Sequence, residues 1–235
     1  MIIKSSIAIV LFLVSYGGFL IYEMPSAWVI PRINPQLAPA HVRLSDPRGS
    51  IWIGSGLLQI NGTPLGRLTW NAGLWPLITG HVHAQLRLQG QDIQAQALIN
   101  ASRAVLLITQ LRAHANLALL ARLMNLPKEA KGTLVANLSK IRLSPRGRIQ
   151  IAQGTVDIHG TRLPSLGVDL GTLHLLLSGS GSKNIVHGVI TNSGGDLDIS
   201  GRINLYDGVR YTLITQLKPH PGSRNNPMRD ALAAI

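Results

Sequence analysis

The side chains in this sequence with any capacity for chemistry are few and scattered. His81 and His83 are one residue apart, which on a strand puts both imidazoles on one face, a geometry that can seed a metal site. The remaining ligands would have to come from His41, His114, His159, His174, His187 or an Asp elsewhere in the chain. Two exposed polar residues opposite an apolar face are the simpler reading. Gly194-Gly195-Asp196-Leu197-Asp198 has the composition of one calcium-binding glycine–aspartate repeat, but a single copy reads as a hairpin turn entering a strand. Gly179-Ser180-Gly181-Ser182-Lys183 lacks the adjacent Gly-Lys-Ser/Thr of a phosphate loop, and no helix follows it. No Gly-x-Ser-x-Gly elbow surrounds a serine. With 0 Cys there is no thiol nucleophile, disulfide framework or cysteine-ligated zinc. The expectation is a protein that is not an enzyme, with no cofactor and no catalytic or metal-ligating residue.

Composition turns attention from groups to surfaces. Apolar residues make up 46% of the 235 and charged residues only 14%, with 24 Gly and 4% aromatics, the profile of a β protein packed on Leu, Ile and Val. The net charge of +12 admits nucleic acid, an anionic membrane surface or an acidic partner. Lys and Arg are spread singly along strand-like segments rather than clustered among aromatics, which argues against nucleic acid.

Ser5 to Tyr22 carries no charge. As a helix at about 1.5 Å per residue it reaches roughly 27 Å, enough for a bilayer core. Tyr22-Glu23-Met24-Pro25 offers no small-x-small cleavage site, so an uncleaved anchor is expected over residues 1–23. Lys4 and the amino terminus favour a cytoplasmic N-terminus, leaving Glu23 onward across the membrane. Residues 24–47 hold five prolines and read as an extended linker.

From Gly49 the period becomes two. Strands are expected at 50–53 and 57–60, broken by Gly54-Ser55-Gly56, with a hairpin at Asn61-Gly62 and a return from Leu65 to Trp70. Val82, Ala84, Leu86 and Leu88 alternate with His83, Gln85 and Arg87. Further strands follow to residue 217, interrupted by one short helix near 116–124 with Asn116 as its N-cap. Residues 219–235 read as a flexible tail.

Pro47–Leu65 and Pro145–Leu163 align without gaps, with Pro, Arg, Gly, Ile, Ile, Gly, Ile, Gly, Thr and Leu coincident. The fold class expected is therefore mainly β: a transmembrane helix followed by a curved antiparallel domain built from two related β repeats, 48–132 with the short helix and 133–218. Whether these form one sheet or two is left open.

The pattern Gly49, Trp52, Gly54, Gly56, then Asn61, Gly62, Leu65, Gly66, Leu68, Trp70, then Trp75, Pro76, Leu77, Gly80 resembles type II secretion system protein N of Gram-negative bacteria. The resemblance extends along the chain but is most specific between Gly49 and Gly80. It implies a single-pass inner-membrane component of the secretion machinery, acting non-catalytically through a periplasmic β domain in export of folded proteins across the outer membrane. It also implies contact with other secretion subunits and inner-membrane lipids, and kinship with AsmA-like envelope proteins. No catalytic residues come with it. Gly49, Trp52, Gly54, Gly56, Trp70, Trp75, Pro76 and Gly80 are the motif and the expected contact surface. The alternative is an AsmA-like protein that handles lipid or maintains the envelope, holding a lipid ligand in an apolar β groove. The two readings differ visibly: a subunit acting by contact should close its core with Leu and Ile, whereas a lipid handler should leave a continuous apolar channel.

Overall fold

The computed structural model describes residues 23–38, 41–73, 80–102, 104–123, 131–145, 147–163, 168–180, 185–206 and 210–219. Twelve strands follow helix α1 (Ser26–Leu37): β1 Val42–Gly49, β2 Ile53–Ile60, β3 Thr63–Ala72, β4 Val82–Gln89, β5 Ile93–Ala101 and β6 Leu106–Asn116. Helix α2 (Leu117–Leu123) intervenes before β7 Lys131–Leu143, β8 Ile149–Leu163, β9 Val168–Ser180, β10 Ile185–Ser193, β11 Leu197–Tyr206 and β12 Arg210–Pro219. They form one antiparallel sheet in which every strand pairs with its neighbours in sequence.

Local signals account for the turns. Asn61 (φ 51°) and Gly62 (φ 74°) occupy the left-handed region that a two-residue hairpin requires. Asn116 caps α2, its Oδ1 accepting from Ala118 N–H at 3.0 Å. Gly54 and Gly56 do not break the chain as expected; β2 runs through both. A Cβ at Gly54 would lie 2.6 Å from Trp70 Cζ2, and one at Gly56 would lie 3.0 Å from Leu44 Cδ1. These glycines make room for neighbours within the sheet.

Three expectations are corrected. The sheet is single and open, not a pair of β repeats. The first aligned copy covers the end of β1, β2 and its hairpin into β3. The second covers the β7–β8 connection and β8 alone, where Gly160 (φ 63°) sits at a register shift instead of a turn. β8 stays in the sheet because 13-residue strands flank it on both sides. Next, residues 26–37 form a helix, although Pro31 and Pro35 lie within it. Both prolines are four apart and exposed, so they share the outer face. Finally, the expected membrane anchor over residues 1–23 lies, to residue 22, outside the described residues. Among the described residues no helix is long and apolar enough to cross a membrane. At 12 residues α1 would reach only about 18 Å.

α1 lies along β1. Ser26 Oγ donates to Gly49 O at 2.8 Å, Ile51 N–H donates to Met24 O at 3.1 Å, and the Asn34 side chain holds Leu44. α2 packs Leu119 against Leu65 and Leu88 in a buried cluster. It is fastened by Arg122 to Asp92 at 3.1 Å and by Asn61 Nδ2 donating to Leu123 O at 2.9 Å. Among the described residues only twelve hydrophobic side chains are buried, too few for two packed layers.

Candidate functional site

Directly paired residues in an antiparallel sheet share a face, so the register sorts the side chains. One row crosses ten strands: Leu68, Leu88, Ala95, Ala113, Ala136, Val156, Leu175, Ile190, Gly201 and Thr215. The row beside it, on the opposite face, reads Thr69, Arg87, Gln96, Arg112, Asn137, Thr155, Leu176, Val189, Arg202 and Ile214. In the regular stretches between bulges the first face carries no charge from β1 to β12. The second carries mostly cations, among them Arg43, Arg67, Arg87, Arg112, Lys140, Arg142, Arg202, Arg210 and Lys218, together with Asp157 and Asp198.

Around β9 and β10 the apolar face is the more sheltered of the two. Leu176 on the polar face is 54% exposed, while Leu175 and Leu177 on either side of it are half-buried. Val189 is 45% exposed and Val186, on the apolar face of the same strand, 4%. At Gly188 an added Cβ would run into Ile203 Cγ2 and reach 3.0 Å from Leu175 Cδ1, because the flanking side chains lean over the glycine. The result is a trough lined by Leu, Ile, Val and Ala, capped at the β2–β3 end by α2. Of the two arrangements the sequence allowed, the described residues fit an open apolar face better than a core closed by a second layer.

The polar face carries cross-strand ladders. His174 Nδ1 lies 2.7 Å from Asp157 Oδ1 and its Nε2 lies 3.1 Å from Ser193 Oγ. This is the bonding order of a hydrolytic triad. The His174 side chain is 43% exposed on a face open to water, so nothing encloses a tetrahedral intermediate. The same cross-strand layout recurs as His83 with Asn100 and as His187 Nδ1 with Asn204 Oδ1 at 2.7 Å, so we read all three as ladder contacts.

A latch ties β9 to the β10–β11 turn. Asp169 Oδ1 accepts from Gly171 N–H at 2.8 Å, and its Oδ2 accepts from Arg162 Nε at 3.0 Å. Asp196 Oδ2 accepts from Asp169 N–H at 2.9 Å, while Asp196 N–H donates to Asp169 O at 2.7 Å. The Gly171 bond, then the Arg162 side chain, holds the Asp169 carboxyl below its ordinary value against partial desolvation.

The motif residues divide. Gly49, Trp52, Gly54, Gly56 and Trp70 gather where β1 to β3 meet. Gly49 turns the chain at φ 82°, Trp52 O accepts from Ala72 N–H at 2.6 Å, and Trp70 Nε1 donates to Ile51 O at 3.2 Å. Gly80 (φ 71°) precedes β4, and Trp75 and Pro76 lie outside the described residues. His83 faces away from the trough, and among the described residues no group of three His, Cys, Asp or Glu could hold a metal ion. Sequence reasoning offered an apolar β groove only as the alternative and named no residues for it, because they are ordinary apolar strand positions. The signal was there in Val82, Ala84, Leu86 and Leu88; what it lacked was a second layer.

Residues 40–235 match the family model described as Type II secretion system (T2SS), protein N, which covers the whole sheet. No curated protein and no solved structure matches. Proteins of that family are non-catalytic components, associated with other subunits of the system, and the match supports an inner-membrane or periplasmic location. The finer sequence reading needs correction. A single-pass inner-membrane component, with a short cytoplasmic N-terminus and a periplasmic bulk acting in export across the outer membrane, requires a spanning helix. Among the described residues there is none. What stands is the family: this chain belongs to type II secretion system protein N.

Proposed function

We propose that the protein handles lipid, holding acyl chains along the apolar face of its sheet in the manner expected of an AsmA-like envelope protein. The observation that supports this reading is the uncharged face running through all twelve strands, with no second layer over most of it among the described residues. Uncovered apolar area of this extent marks a ligand or a membrane contact. Strands of 8 to 15 residues at about 3.3 Å per residue run roughly 26–50 Å, longer than the ~15 Å of one leaflet's hydrocarbon. Burial of each CH2 is worth about 0.8 kcal/mol in the trough or in a bilayer, so exchange between them is nearly balanced, as a carrier requires. The arginines of the outer face would meet anionic headgroups.

The test is native mass spectrometry of the full chain after gentle purification, with lipids extracted in parallel. Phospholipid retained at one or more copies per chain is expected. A chain that stays lipid-free, even after incubation with phosphatidylglycerol vesicles, would sink the proposal.

A further inference from the structure

The two edges of the sheet are finished differently. At β1, Asn34, Ser26 and Met24 take backbone groups of Leu44, Gly49 and Ile51, which closes that edge to pairing. At β12 the ladder to β11 runs ten pairs without a shift, from Leu197↔Pro219 to Tyr206↔Arg210. All ten residues of β12 are exposed, Tyr211 at 69% and Leu213 at 51%. Its ladder to β11 has no bulge, and among the described residues no helix covers it and no strand pairs on its outer side. Tyr211, Leu213 and Leu217 carry the trough surface to the edge, opposite Leu205, Ile203 and Ile199.

We infer that β12 is a docking edge for a strand of another protein, apolar on its trough side and acidic at both ends of its outer side. Such a strand would extend the trough across the junction. A second copy fits poorly. With its β1 closed it can offer only its own β12, and full antiparallel self-pairing sets Ile214 against Ile214 and Arg210 against Lys218 at both ends. Like charges directly opposite are destabilising. Slipping one way brings Pro219, which lacks an N–H, into the new ladder; slipping the other way shortens it. Carboxylates facing Arg210 and Lys218 convert the repulsion to attraction.

The inference does not depend on what the trough carries, and its test uses no lipid. Hydrogen exchange of the full chain is followed with the peptide Glu-Leu-Thr-Val-Thr-Leu-Thr-Val-Glu and with its counterpart carrying Lys at both ends. The acidic peptide should slow exchange within 210–219 and leave β1 unchanged. It should bind about tenfold more tightly than the basic one, and Arg210→Glu with Lys218→Glu should invert the order. Failure of the acidic peptide to protect β12 at millimolar concentration would overturn the inference. So would equal protection by both peptides, or a β12 already protected in the chain alone.

Discussion

Asn34 hydrogen-bonds both backbone groups of Leu44: its Oδ1 accepts the N–H at 3.1 Å and its Nδ2 donates to the carbonyl at 2.9 Å. One side chain thus does for β1 what a neighbouring strand would do. Asn34→Ala should remove both bonds from a part-buried site and cost about 1–3 kcal/mol. Asn34→Asp, which keeps the acceptor and loses the donor, should fall between. Urea unfolding measures the cost, and light scattering should show the Ala variant associating through its freed edge. A variant as stable and as monomeric as the parent would show that α1 does not guard the edge.

Gly54 and Trp70 are paired across β2 and β3, and the indole covers the glycine. Gly54→Ala should be destabilising by about 2–4 kcal/mol despite the better strand propensity of Ala. Its Cβ would meet the ring and also the carbonyls of Arg48 and Ser50 at 2.7 Å, and backbone cannot step aside as a flexible side chain can. Trp70→Phe keeps an aromatic cover and loses the bond to Ile51 O, for about 1 kcal/mol. Thermal unfolding ranks the two, and the reverse order would argue against this packing account.

These contacts show why part of the fold was legible and part was not. Alternation along 82–88, the Asn61-Gly62 turn and the Asn116 cap are local effects, so the residues themselves announce them. The glycines of β2 looked like breaks because their partners, Trp70 and Leu44, are on other strands. α1 was hidden by Pro31 and Pro35, whose cost is offset by contacts to β1 that no local pattern displays. The two aligned copies diverge because β8 is held by β7 and β9, and neighbours decide whether a Gly turns the chain or bulges it. The trough was least legible, since an apolar face reads the same whether or not another layer covers it.

Asp169 makes part of the stability dependent on acid. Its folded carboxyl is held below the ordinary 3.8, mainly by the Gly171 N–H and then by Arg162. A depressed folded value means that this contribution is present above the unfolded value and fades as pH falls through the folded one. Asp169→Asn should therefore be less stable than the parent at pH 7. The gap should narrow below the ordinary carboxylate range, where the parent loses its advantage. Denaturant midpoints compared at pH 7 and in that acid range check this, and a gap independent of pH would rule the carboxylate out as the cause.

Leu175 and Leu176 are consecutive on β9 and point to opposite faces, the first into the trough between Val156 and Ile190, the second outward. A glutamate at either position adds the same charge to the same strand. At Leu175 that charge must lose water against an apolar wall when a chain is loaded, which is costly for an unpaired carboxylate. At Leu176, already 54% exposed, it stays hydrated. Leu175→Glu should reduce retained lipid at least tenfold, Leu175→Gln should reduce it less, and Leu176→Glu should leave loading near that of the parent. Circular dichroism and melting curves establish that each variant is folded before lipid is counted. Equal loading of the two glutamate variants would show that the apolar face is not where lipid is held.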